Sequence, residues 1–136
     1  MREFAVKYAW KFIGVAYEWG GDNSQGLDCS GFVGVILRAV GLMDNREDLT
    51  ASGIHNKFRE KAVDAPYKGC LVFYGRSKKM ITHIAFMVDD HRILEAGGGG
   101  SKTTTKEMAD EHNAFVRGRP YAYRPPVAFV DPFLTD

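Results

Sequence analysis

The sequence predicts one α+β domain, spanning residues 1–136, in which N-terminal helices pack on an antiparallel β-sheet. In the first part of the chain apolar residues recur every three to four positions, while short β-type runs follow residue 70. Helices followed by strands, instead of alternating with them, are the order typical of an α+β fold. A chain of 136 residues can bury one substantial core and is too short for two ordinary domains.

Three helices are predicted in the first half of the chain. The apolar face of the first, which ends near Gly14, consists of Phe4, Ala5, Tyr8, Ala9, Phe12 and Ile13. The second runs from Asp28 to Val40, with Asp28 as its N-cap and Gly41 as the left-handed residue after its end. A third, shorter helix covers Ser52 to Lys61.

The second half predicts strands at Leu71–Tyr74, His83–Val88 and Arg92–Ala96. The last two form a hairpin around a tight turn at 89–91. A further strand is predicted at Tyr121–Tyr123, and the prolines at 125, 126 and 132 predict an irregular tail.

Charge and hydropathy exclude several classes of partner. The 18 basic and 17 acidic residues give a net charge of +1, without the basic stripe that a nucleic-acid binder shows. No stretch reaches the ~20 apolar residues of a membrane span. The charged N-terminal residues do not resemble a signal peptide, so we expect no signal peptide in this chain. From the charge and the hydropathy we expect no nucleic-acid partner and no membrane partner.

Cys29 is the candidate nucleophile. It lies at the first turn of the second predicted helix, directly after a glycine-rich loop at 17–26. The N–H groups and partial positive charge of a helix N-terminus favour a thiolate over a thiol, and can also stabilise the oxyanion of a tetrahedral intermediate. The alternative interpretation is that Cys29 is a small buried hydrophobic residue.

A nucleophilic cysteine needs a base, and His83 is the best placed of the four histidines. It opens an apolar strand that would hold its ring rigidly. His91 lies in the predicted turn, His112 in a polar stretch and His55 on the third helix.

Glu95 is the candidate partner that orients the His83 ring. Twelve positions separate the two residues, an even number, so a tight hairpin can place both side chains on one face of the sheet. Glu95 could equally face solvent from its strand.

The remaining cysteine, Cys70, has no histidine predicted to face it, so we interpret it as structural. Two cysteines without a CxxC pair do not indicate a disulfide framework or a zinc site. We therefore predict no metal and no cofactor.

Several of these segments resemble the NlpC/P60 family of cysteine peptidases. The matching segments are Tyr-Glu-Trp-Gly-Gly at 17–21, Leu-Asp-Cys-Ser-Gly-Phe-Val at 27–33, Gly-Cys-Leu-Val-Phe-Tyr at 69–74 and Thr-His-Ile-Ala-Phe-Met-Val at 82–88. They occur in family order and span about two thirds of the chain. At the third catalytic position the family usually has histidine, sometimes Asn or Gln, where this chain has Glu95; Cys70 replaces a usual aspartate.

The resemblance implies a papain-like fold and hydrolysis of amide bonds in bacterial peptidoglycan stem peptides, typically the bond between γ-D-glutamate and a diamino acid. It implies a Cys29–His83–Glu95 triad and an acyl-enzyme. It also implies that Tyr17, Asp28 and Ser30 bind substrate, although Asp28 could instead only cap its helix. The site of action would be the bacterial cell wall, outside the cell, in the periplasm or on a phage virion.

Two other functions stay open from the sequence. The same Cys–His pair could serve an amidase or acyltransferase on a substrate outside the wall, because a fold does not fix its substrate. The domain could also be an inactive binding or structural module. The oligomeric state is not predicted.

Overall fold

The computed structural model describes residues 1–15, 22–23, 26–97 and 115–135. For residues 22–23 and 26–27 it describes the backbone alone. Its helices are α1 (Arg2–Trp10), α2 (Cys29–Ala39), α3 (Ala51–Lys57) and two 3-10 turns (Arg59–Lys61 and Tyr121–Tyr123). Its strands are β1 (Asp22–Asn23), β2 (Gly26–Leu27), β3 (Leu71–Gly75), β4 (Ile81–Met87), β5 (Arg92–Gly97), β6 (Phe115–Pro120) and β7 (Ala128–Val130). None of the helices in these segments has the length and apolar character needed to cross a membrane.

A five-stranded antiparallel sheet in the order β6-β5-β4-β3-β7 forms the centre of the domain. One face buries Ile84 and Phe86 of β4 in the same core as Phe32 and Ile36 of α2. The opposite face carries a smaller apolar cluster against which C-terminal residues pack. The predicted α+β fold, with N-terminal helices on an antiparallel sheet, is therefore confirmed.

Helix α2 begins and ends close to where the sequence predicts. The Asp28 carboxylate caps it by accepting a hydrogen bond of 2.6 Å from the Gly31 amide, and Gly41 adopts φ +77° just beyond its end. This cap fixes the first turn of the helix and with it the position of Cys29.

The predicted face of α1 is only partly right. Ala5 and Ala9 are fully buried and Phe12 is nearly so, but Phe4 is 53% and Ile13 46% exposed. Helix α1 ends at Trp10, so Ile13 lies in the turn that follows and no longer continues the helical face.

The β4–β5 hairpin forms, but its connection is longer than the tight turn that we predicted. Four residues, 88–91, join the strands, and Phe86 pairs with Leu94 and Met87 with Ile93. Continuing this register places Glu95 opposite Ala85, two positions from His83 on the same face. Such diagonal neighbours lie about 7–8 Å apart, within reach of long side chains.

The prediction of a strand at Tyr121–Tyr123 is wrong. This segment forms a 3-10 turn directly after Pro120. The actual strands lie on either side of it, at β6 and at β7, the latter inside the segment predicted as an irregular tail. Strand β6 pairs with β5 along its whole length, from Arg92–Pro120 to Gly97–Phe115, and this pairing makes it a strand.

Candidate active site

The structure brings Cys29, His83 and Glu95 together. Nε2 of His83 lies 3.1 Å from Oε1 of Glu95, and Cys29 lies close enough to the His83 ring to raise its pKa. Since Glu95 engages Nε2, Nδ1 is the nitrogen left to face the sulfur. The imidazole is thus held between a thiol at a helix start and a carboxylate, as nucleophilic catalysis by cysteine requires.

Protonation of His83 is strongly favoured. Burial alone would lower the pKa of His83, but the hydrogen bonds to Cys29 and Glu95 outweigh it and raise the pKa to about 9. Burial would likewise raise the pKa of Glu95, yet the hydrogen bond from His83 holds it below its ordinary value. At neutral pH the site therefore contains an imidazolium beside a carboxylate.

The second oxygen of Glu95 faces strand β6 and the turn after it. The Tyr123 hydroxyl donates to Oε2 over 3.4 Å, and Nε of Arg117 lies 3.9 Å from the same oxygen. This Nε is buried and has no hydrogen-bond partner among the residues described. Glu95, which is only 1% exposed, thus has His83 at one carboxylate oxygen and both Tyr123 and Arg117 at the other, and all three favour its ionised form.

Gly97 leaves room for this carboxylate. A Cβ at position 97 would lie 2.5 Å from Oε2 of Glu95 and 3.2 Å from Nη2 of Arg117, so any side chain there would displace one of them.

Behind the imidazole lies Tyr74, whose ring centroid is 5.6 Å from that of His83. Tyr74 is fully buried, and its hydroxyl donates to the Tyr121 carbonyl over 2.9 Å. This hydrogen bond fixes the tyrosine ring, which in turn limits rotation of the imidazole.

Two of the three predicted substrate-binding residues flank the sulfur. Asp28 and Ser30 both line the cleft, and the Ser30 hydroxyl donates to Asp28 Oδ1 over 3.4 Å. The same Oδ1 accepts from Gly31, so Asp28 does cap its helix. Tyr17 lies outside the described residues.

The other histidines do not compete with His83 where they are described. His55 packs edge-on against Phe73 at 5.0 Å, and His91 is exposed in the β4–β5 connection. His112 lies outside the described residues. Cys70 is fully buried, and burial raises the pKa of its thiol to about 11, which suits a structural residue.

The site opens into a cleft of about 820 Å³ that contains residues the sequence analysis missed. Arg117 and Arg119 on β6, together with Tyr123 and Arg124, form one of its walls. The spacing of Arg117 and Arg119 by two could have indicated one face of a strand, had the segment been recognised as a strand. Within the described residues, no group of three His, Cys, Asp or Glu side chains could hold a metal ion.

Fold and site together define a papain-like α+β domain with a Cys–His–Glu cluster at the start of a helix. The NlpC/P60 family model matches residues 14–116, and the chain belongs to this family.

Known relatives agree with this assignment. The chain is 35% identical over 101 residues to the bifunctional muramidase/DL-endopeptidase CwlT of Bacillus subtilis. The matched region covers 72% of this chain and 30% of CwlT. The chain is 30% identical over 89 residues to the γ-D-glutamyl-L-lysine dipeptidyl-peptidase of Bacillus cereus, covering 62% and 25%. The crystal structure of a Bacillus cereus NlpC/P60 family protein matches its fold with a TM-score of 0.70 at 21% identity, covering 96% of this chain and 39% of that one. The chain thus spans less than half the length of each of these proteins.

Proposed function

We propose that this domain is a cysteine endopeptidase that hydrolyses amide bonds in peptidoglycan stem peptides, specifically the bond from γ-D-glutamate to a diamino acid. The observation that carries the proposal is the His83 ring held between Cys29 and Glu95 in an NlpC/P60 domain. The two relatives described above are named for endopeptidase activity and for cleavage at γ-D-glutamyl-L-lysine, which supports this bond. The site of action is then the bacterial cell wall.

The arrangement supports a two-step reaction. The Cys29 thiolate attacks the carbonyl carbon, and the positive end of α2 stabilises the oxyanion that forms. The imidazolium of His83 gives its proton to the leaving amine as the C–N bond breaks, which leaves a thioester on Cys29. Neutral His83 then takes a proton from water, whose oxygen attacks the thioester; the C–S bond breaks, the acid leaves, and the Cys29 thiolate and the His83 imidazolium are restored.

Incubation with purified muropeptides, read by mass spectrometry, tests the reaction. Wild type should release new amino groups at the diamino acid, and Cys29→Ala should release none while keeping the same melting temperature. Cys70→Ala is the matched control and should stay active. An amidase or acyltransferase would be favoured instead if the wild type left muropeptides uncleaved and showed a Cys29-dependent activity on a different acyl substrate.

We also propose that Tyr17, Asp28 and Ser30 bind substrate, with Asp28 and Ser30 at the amino end of the stem peptide and Tyr17 lining the site. Asp28 and Ser30 support this proposal because both line the cleft beside the sulfur. Asp28→Asn should lower kcat/KM at least tenfold for peptides with a free amine and much less for amine-blocked peptides, because a charged hydrogen bond is worth about 1.5–3 kcal/mol. Because Asn caps a helix about as well as Asp, the melting temperature should stay the same, and an equal loss on both substrates would show that Asp28 does not bind the amine.

A further inference from the structure

The three arginines of the cleft differ in what surrounds them. Arg117 lies opposite Glu95 across the β5–β6 ladder and forms an ion pair with its carboxylate. Arg119 and Arg124 form no ion pair or hydrogen bond with any carboxylate among the described residues. Neither cation is therefore in direct contact with a carboxylate in the described part of the chain, although Arg119 lies close enough to Glu95 for its charge to lower the pKa of that carboxyl.

Both of these arginines make cation–π contacts with tyrosines. The Arg119 guanidinium carbon lies 4.5 Å from the ring centroid of Tyr123, and that of Arg124 lies 5.7 Å from the same ring and 4.8 Å from the ring of Tyr74. A cation–π contact needs no acceptor atom, so the N–H donors of both guanidinium groups stay available for an anion. The tyrosines thus hold the two guanidinium groups in place without using their hydrogen-bonding capacity.

This arrangement concentrates positive charge beside the reacting atoms. Arg119 is half-buried and Arg124 exposed, and both line the same cleft as Cys29. Like charges gathered around one tyrosine repel each other unless an anion lies between them. Planar N–H donors of this kind match a carboxylate in a bidentate geometry.

We propose that Arg119 and Arg124 form an anion subsite that binds a carboxylate of the peptide substrate. The proposal rests on the proposed function and narrows its substrate to peptides that carry a free carboxylate near the scissile bond. Two carboxylates could supply it: the α-carboxylate of the γ-linked glutamate, or a carboxylate of the diamino acid.

Binding to the Cys29→Ala variant tests the subsite without turnover. Three synthetic L-Ala-γ-D-Glu-diamino acid peptides are compared by titration calorimetry: one with all carboxylates free, one with the glutamate α-carboxylate as carboxamide, and one with the diamino acid carboxylates as carboxamides. We expect one amidated peptide to bind roughly tenfold more weakly than the acidic peptide, as for a lost charged hydrogen bond at a partly exposed site. Which peptide loses affinity identifies the source of the carboxylate.

If the subsite exists, substitution of the arginines must remove the difference in affinity between the acidic and the amidated peptide. Arg119→Gln with Arg124→Gln should weaken binding of the acidic peptide roughly tenfold and leave the sensitive amidated peptide unchanged. The exposed Arg76→Gln is the matched control and should change neither. If the double variant does not fold, Arg119→Lys is used instead, which keeps the charge but loses the bidentate geometry and should weaken only the acidic peptide.

The outcomes separate the two proposals. Cleavage of the peptides by wild type, together with unchanged affinities in the arginine variants, overturns the subsite and leaves the peptidase function standing. A lower melting temperature without any change in the acidic-to-amidated ratio shows that the arginines only stabilise the fold, and also overturns it. No cleavage and no binding of any peptide overturns the proposed function and the subsite with it.

Discussion

Replacing Glu95 by Gln tests whether the carboxylate charge keeps His83 protonated. The substitution preserves the shape of the side chain, and its amide oxygen can still accept the hydrogen bond from Nε2 that now spans 3.1 Å. Because Glu95 is 1% and His83 13% exposed, solvent screens this charge only weakly. A change in the titration of His83 would therefore report the lost charge and not a lost contact.

The size of the effect follows from the surroundings of the ring. The pKa of His83 is about 9, against an ordinary 6.5, although burial acts to lower it. Cys29 and Glu95 both raise it, and an opposite charge at this range typically moves a pKa by about 1–3 units. Since Cys29 remains in the variant, we expect the pKa of His83 to fall by about one unit.

The measurement is the dependence of kcat/KM on pH, from about pH 5 to about pH 11, with a muropeptide substrate. Loss of the imidazolium proton removes the acid needed by the leaving amine, so the alkaline limb of the profile should move about one pH unit lower in Glu95→Gln. Asp89→Asn is the matched control, because this carboxylate bonds Arg92 in the β4–β5 connection instead of His83. An alkaline limb that stays in place in a correctly folded Glu95→Gln variant would refute the reasoning.

Two further predictions concern the space around the triad and the reactivity of its thiol. Gly97→Ala places a Cβ 2.5 Å from Oε2 of Glu95, so the carboxylate must move. We expect kcat/KM to fall at least tenfold, because a small displacement of a catalytic group has an effect of this size. Gly118→Ala is the control and should change kcat/KM little, because its Cβ meets no atom closer than 3.5 Å. Limited iodoacetamide treatment at neutral pH, followed by mass spectrometry, should label Cys29 before the fully buried Cys70, whose thiol pKa is raised by burial to about 11; preferential labelling of Cys70 would contradict the choice of nucleophile.

The parts of the site that the sequence predicts are those encoded by local signals. Asp28 before an apolar face and Gly41 after it predict α2 almost to the residue, and Cys29 follows because it occupies the first turn. The even spacing of His83 and Glu95 predicts that they share a face, which the register confirms despite the longer connection.

The parts that it does not predict depend on contacts between distant segments. Strand β6 contains Arg-Gly-Arg at 117–119, a composition typical of a loop, and becomes a strand because it pairs with β5. The basic wall of the cleft was missed for the same reason, since Arg117 and Arg119 share a face only once β6 is extended. The exposure of Phe4 likewise depends on which segments cover α1, and no local pattern specifies that.

The buried carboxylate of Glu95 depends on donors from strand β6 and from the turn after it. A charge that is 1% exposed is strongly destabilising unless donors surround it. Glu95 receives the imidazolium of His83 on one oxygen, and the Tyr123 hydroxyl and Arg117 on the other. Gly97 leaves the space in which this arrangement fits. Glu95 therefore contacts three groups, which lie on the two neighbouring strands and in the turn after β6. Its replacement by a neutral residue leaves the buried Nε of Arg117 without its counter-charge.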